Sequence, residues 1–150
     1  LGTALGVTTS YLASANTSAA VYTLEGAPAV AGIAKRHFAQ LGLSNIRLTE
    51  GKFDDTLLPL LSGIQKADFA FIDGNHTYEA TINYFNQFIT KVNNDSALVF
   101  DDIYWSKGMT KAWEEIKNHP KVTVTVDLFF IGLVYFRTQQ VEEHFKLRVM

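Results

Sequence analysis

The sequence has 150 residues, a formal net charge of −2 and no cysteine. That length is one domain by prior and enough to bury a sizeable core. Without a basic block or an arginine–lysine stripe interleaved with aromatics, nucleic acid is a poor main partner and a small molecule a better one. The absence of cysteine excludes disulfides and thiolate zinc sites and suits a cytoplasmic protein. The longest apolar run, Leu128 to Phe136, is far short of the ~20 residues that span a bilayer as a helix. No membrane segment is expected.

The chain opens inside what reads as a glycine turn, Leu1-Gly2-Thr3-Ala4-Leu5-Gly6, and the strand that should feed this turn is expected upstream. Glycine permits positive φ and close approach of a ligand, and the free N–H groups of a following helix favour polar or anionic groups. The turn lacks both the middle glycine of the dinucleotide fingerprint and the Gly-Lys-Ser/Thr of a P-loop. About twenty residues on, the strand Ala19 to Glu25 ends in an acid, the placing of a residue that accepts both hydroxyls of a ribose. Pro28 to Leu41 reads as a helix, with Pro in its first turn, apolar residues at Val30, Ile33, Ala34, Phe38 and Leu41, and Gly42 past its end. His37 lies near that stripe and reads as structural. Asn45 to Thr49 is a short strand; Gly51, Lys52 and Phe53 follow at its tip, and Asp54 and Asp55 read as helix-start acids.

Asp68 to Ile72 reads as a fourth strand, delivering Asp73-Gly74-Asn75-His76, and the next helix carries Ile82, Phe85, Ile89 and Val92 on one face. Ala97 to Phe100 is a fifth strand that ends in Asp101-Asp102. Ser106 then caps a helix from Lys107 to Asn118. Both strands are apolar runs closed by carboxylates, as expected of covered parallel strands whose tips border a ligand crevice. Neighbouring strands lie about 4.8 Å apart, so Asp73, Asp101 and Asp102 would crowd together if the two strands were adjacent. Like charges ~5 Å apart repel by about 3 kcal/mol at an effective dielectric of ~20. A divalent cation with oxygen ligands would relieve that repulsion, which makes the three a candidate metal site. Asp101 and Asp102 can both reach one ion only if the backbone turns between them. His76 is placed to take a proton from a bound hydroxyl. Tyr104, Trp105 and Lys107 either shape an acceptor pocket or pack.

Val122 to Val126 and Phe129 to Phe136 read as two antiparallel strands joined at Asp127-Leu128. The tail from Gln139 to Met150 reads as a helical turn plus an edge strand. The alternation of strand and helix gives an α/β, doubly wound, mostly parallel sheet closed by an antiparallel hairpin, as a single domain over 1–150.

The glycine turn, strand-end Glu25, Gly51-Lys52-Phe53, Asp73-Gly74-Asn75-His76 and Asp101-Asp102-Ile103-Tyr104-Trp105, in this order, resemble a class I S-adenosylmethionine-dependent methyltransferase. Within that class the chain is similar to the cation-dependent O-methyltransferases of the catechol O-methyltransferase type, in a branch with Asp-Gly-x-His. The resemblance implies a Rossmann-like sheet of seven strands with the last antiparallel. It implies that Gly2, Thr3, Ala4 and Gly6 lie against the methionine part of S-adenosylmethionine, that Glu25 holds the ribose, that Gly51, Lys52 and Phe53 flank the adenine, and that Asp73 borders the cofactor. Asp73, Asp101 and Asp102 would bind Mg²⁺ or a similar ion, and His76 stands where catechol-type enzymes carry a basic lysine. The usual Asp-Asn pair is Asp-Asp here. The acceptor implied is a small hydroxylated molecule, with a homodimer as the assembly to test. Two rival readings stay open: an adenosine-cofactor-binding module without chemistry, and an NAD-dependent reductase.

Overall fold

A computed structural model describes residues 1–148 of the chain. The elements run α1 (Val7–Ala15), β1 (Val21–Glu25), α2 (Pro28–Gln40), β2 (Ile46–Glu50), α3 (Phe53–Ser62), β3 (Phe69–Ile72), α4 (Tyr78–Phe88), β4 (Ala97–Asp101), α5 (Lys107–Lys117), β5 (Val124–Asp127), β6 (Ile131–Tyr135) and β7 (Glu143–Lys146). They divide into two compact units, Leu1–Leu60 and Leu61–Met150. The alternating order, with a mixed five-stranded sheet, is that of an α/β, Rossmann-like fold, as expected.

In the first unit β1 and β2 pair in parallel, Val21 opposite Ile46 and Glu25 opposite Glu50, so both strands end at one edge in acids. Helix α2 buries Ala31, Ala34 and Phe38, a narrower stripe than the sequence pattern predicts; Leu41 is 62% exposed. Gly6 meets this helix. Its φ is +84°, and a Cβ there would stand 2.6 Å from the Phe38 ring, so both conformation and space exclude a side chain. His37 donates Nδ1–H to the Leu5 carbonyl at 2.9 Å, which ties α2 to the glycine turn in the structural role expected of it.

The second unit holds a sheet in the order β3-β4-β6-β5-β7. β3 and β4 are parallel neighbours, Ile72 opposite Phe100. Leu98, Val99 and Phe100 are all buried, as expected of a covered strand, whereas β3 buries Ala70 and Ile72 and leaves Phe69 48% exposed. β6 runs antiparallel between β4 and β5. Gly132 lets it lie against the buried Trp113 of α5, whose ring would be 2.7 Å from a Cβ.

Several expectations are corrected. The resemblance implies one sheet of seven strands; the described residues form a two-stranded and a five-stranded sheet, because the β1–β2 ladder and the β3–β4 ladder share no strand. The hairpin turns later than predicted. Asp127 belongs to β5, and Leu128 to Phe130 make the turn, closed by Leu128 N–H on the Ile131 carbonyl at 2.9 Å and by Phe129 N–H on Asp127 Oδ1 at 2.9 Å. The edge strand of the tail is present as β7, parallel to β5. Its last two residues, Met150 among them, lie outside the described ones. Of the face predicted for α4, Phe85 and Ile89 are buried while Ile82 and Val92 are half-buried, and Thr81, Tyr84 and Phe88 are buried beside them. The Tyr84 hydroxyl accepts from Asn75 Nδ2 at 2.5 Å.

Candidate active site

Within the first unit the predicted residues Gly2, Thr3, Ala4, Gly6, Glu25 and Gly51 come together at the carboxyl edge of β1 and β2. The N–H groups of Gly2 and Thr3 both donate to the Leu24 carbonyl at 3.2 Å, and Gly6 N–H closes the loop on the Thr3 carbonyl at 2.8 Å. Three of the five loop residues have positive φ: Gly2 at 81°, Ala4 at 45° and Gly6 at 84°. Glycine makes two of these inexpensive; Ala4 is the strained one. It is held because its N–H donates to Glu25 Oε2 at 2.9 Å. Glu25 Oε1 accepts the Ala27 N–H at 2.9 Å, and the Glu25 carbonyl accepts Gly51 N–H at 2.9 Å. A carboxylate has about four lone-pair sites, so each Glu25 oxygen keeps one for a ligand. That leaves the two-acceptor pattern a vicinal diol requires, on a half-buried side chain. Lys52 is exposed and Phe53 half-buried at the start of α3.

Within the second unit the register Ile72 opposite Phe100 sets Asp73 and Asp101 at adjacent strand tips, as expected from the two apolar runs. Asn75 and His76 have φ of 62° and 35°. Two successive left-handed residues without glycine cost roughly 1–2 kcal/mol each. They fold the chain back, so that His76 Nε2 meets Asp73 Oδ1 at 3.2 Å. Thr77 then caps α4 through the Ala80 N–H at 3.4 Å. At β4 the backbone turns where it must: Asp102 has φ 54°, and its N–H donates to Asp101 Oδ1 at 3.0 Å.

Electrostatics ties these groups together. Burial raises the Asp101 carboxyl above its ordinary value; the Asp102 N–H opposes this, the charges of Asp73 and Asp102 reinforce it, and His76 lowers it. Among the described residues no three His, Cys, Asp or Glu side chains are grouped to hold a metal ion. Of the three expected ligands, Asp73 Oδ1 is engaged by His76 and Asp101 Oδ1 by the Asp102 N–H. Carboxylate oxygens are the donors a hard cation takes.

Sequence reasoning missed the surroundings of this cluster. Asn75, which holds Tyr84, was only a filler between Asp73 and His76. Asp127, read as a turn residue, is a buried carboxylate that accepts from Tyr104 and Arg148. A lone strand-end acid after an alternating Val-Thr-Val-Thr-Val run was the signal available. Trp105 is 73% exposed and Lys107 is the first residue of α5.

Residues 1–103 match the family model described as a methyltransferase domain. Among solved structures, the chain is similar to cofactor-bound Rv0187 from MTB, at 23% identity and TM-score 0.76 over 91% of this chain and 70% of that one. It is also similar to the O-methyltransferase TomG from Streptomyces achromogenes, involved in tomaymycin synthesis and solved in complex with S-adenosylmethionine. That match has 19% identity and TM-score 0.77, again over 91% and 70%. The uncharacterized protein R132 of Acanthamoeba polyphaga mimivirus is 35% identical over 68 residues, 43% of this chain and 31% of that protein. The match spans about a third of that relative's length. Among the described residues no helix is long and apolar enough to cross a membrane.

Proposed function

Because the chain belongs to the methyltransferase domain family, we propose that it transfers the methyl group of S-adenosylmethionine to a hydroxyl of a small acceptor. In this reading it is an O-methyltransferase of the catechol O-methyltransferase type, with His76 as the base. The observation that carries the reading is the Asp73–His76 pair, formed at the strand tip beside Asp101.

Bound, the cofactor supplies a methyl carbon made electrophilic by its sulfonium. Glu25 would receive the ribose hydroxyls on the lone pairs that Ala4 and Ala27 leave free, the Gly2 to Gly6 loop would face the methionine portion, and Gly51, Lys52 and Phe53 would flank the adenine. A neutral His76 that donates Nε2–H to Asp73 presents Nδ1 as the acceptor, since the hydrogen bond of one ring nitrogen fixes the state of the other. The acceptor's hydroxyl proton would pass to that Nδ1 as its oxygen takes the methyl group. The pull of Asp73 on the ring stabilises the imidazolium that results. A divalent cation such as Mg²⁺ enters the reading as an addition: Asp73, Asp101 and Asp102 would take it by leaving their present hydrogen bonds. It would acidify and orient the acceptor hydroxyl.

Calorimetric titration tests the cofactor half. S-adenosylhomocysteine should bind, NADH should not, and Glu25→Ala should weaken binding by roughly tenfold or more, about 1.4 kcal/mol. Binding of NADH in place of S-adenosylhomocysteine would overturn the reading in favour of a reductase. Chelation tests the metal: turnover lost in EDTA and restored by Mg²⁺ supports the cation, and turnover indifferent to both removes it.

A further inference from the structure

Asp127 is 5% exposed, and its two carboxylate oxygens take three donors. Tyr104 donates its hydroxyl to Oδ2 at 2.5 Å, while Arg148 Nη1 and the Phe129 N–H donate to Oδ1 at 2.9 Å each. Burial alone would raise this carboxyl; the bonds from Arg148, Tyr104 and Phe129 outweigh it, and the group sits below its ordinary value. Tyr104 is pushed up to about 12 by burial and by Asp127, so its phenol is a fixed donor through the neutral range and no base. Its ring lies 5.9 Å from that of Phe129, and Lys146 Nζ stands 5.5 Å above it. The loop after β4, the hairpin turn and the segment after β7 therefore meet on one carboxylate at the end of β5.

Tyr104 lies two residues beyond Asp102, whose left-handed φ of 54° needs holding from outside. The turn is closed by Trp105 N–H on the Asp102 carbonyl at 2.9 Å and anchored to the hairpin by Ile103 N–H on the Phe130 carbonyl at 3.2 Å. The Tyr104–Asp127 bond is a second anchor, from the turn to β5. We infer that Asp127, acting through Tyr104, is a positioning residue: it holds the turn at 102–105 and so aims Asp101 and Asp102 at Asp73 and His76. The inference rests on reading that cluster as the acceptor site.

Tyr104→Phe removes one hydroxyl and keeps the ring on Phe129; Asp127→Asn keeps the shape and removes the charge. Amide exchange at Ile103 and Trp105 should rise roughly tenfold in Tyr104→Phe, the worth of about one hydrogen bond, with Leu98 and Val99 of β4 unchanged. Methyl transfer should lose roughly tenfold in kcat while the KM for S-adenosylmethionine stays constant, and Asp127→Asn should follow the same pattern. Unchanged exchange at Ile103 and Trp105 overturns the inference, and so does faster exchange with unchanged kcat, since the clamp would then be structural alone. A wild-type protein that binds S-adenosylhomocysteine yet transfers no methyl group contradicts the proposed function instead; the exchange result then decides the clamp by itself.

Discussion

Asp101 and Asp127 are strand-end carboxylates with opposite linkage to pH. Asp101 is raised above 3.8, first by burial and then by its acidic neighbours. It therefore stabilises the fold when protonated, fully below the unfolded value, and this contribution is lost as pH rises through the folded one. At neutral pH its charge is a cost, as is common for groups retained for chemistry. Asp101→Asn should raise the melting temperature by a few degrees at pH 7, with the gain vanishing near pH 3, and should lower turnover. A thermal melt of the variant across that range checks the sign; a lower melting temperature at pH 7 would refute it. Asp127 is lowered instead, so its contribution is present above 3.8 and is lost as pH falls through the folded value. At this scale the sequence identified the carboxylates at the tips, because an apolar run ending in Asp is visible by eye. It could not reveal the left-handed backbone at Asn75, His76 and Asp102, since nothing in those residue types demands it.

Among the elements, the glycine turn and α2 depend on one another. Gly6→Ala imposes a positive φ on a residue with a Cβ and drives that Cβ into the Phe38 ring. It should cost roughly 2–4 kcal/mol, read as a fall in unfolding midpoint by denaturant titration; a loss under ~0.5 kcal/mol would mean the loop yields freely. The turn was legible from its two glycines four apart; the adjacency of β3 and β4 was a condition in the sequence reading that the parallel pairing of the two strands meets. The insertion of β6 between β4 and β5 followed from no local pattern, because a hairpin can place either strand inward. On α4 the predicted Phe85 and Ile89 are buried, and the spacing missed Tyr84, which is buried with its hydroxyl paired to Asn75. Tyr104 and Asp127 are 23 residues apart, beyond any spacing rule.

Over the whole molecule, the family match ends at residue 103, while the clamp of Tyr104, Asp127 and Arg148 lies wholly beyond it. The family match therefore covers the glycine turn and the strand tips but not the clamp, which stands on its own geometry. The first unit holds a two-acceptor carboxylate beside a glycine turn, and the second holds an imidazole paired with Asp73. The measurement that tests this most directly follows labelled methyl from S-adenosylmethionine into a panel of small hydroxylated acceptors, for the wild type and His76→Ala. The account predicts an O-methyl product whose rate of formation falls roughly 10²-fold or more in the variant. An unchanged rate in His76→Ala, or no methylated oxygen from the wild type on any acceptor, would contradict it.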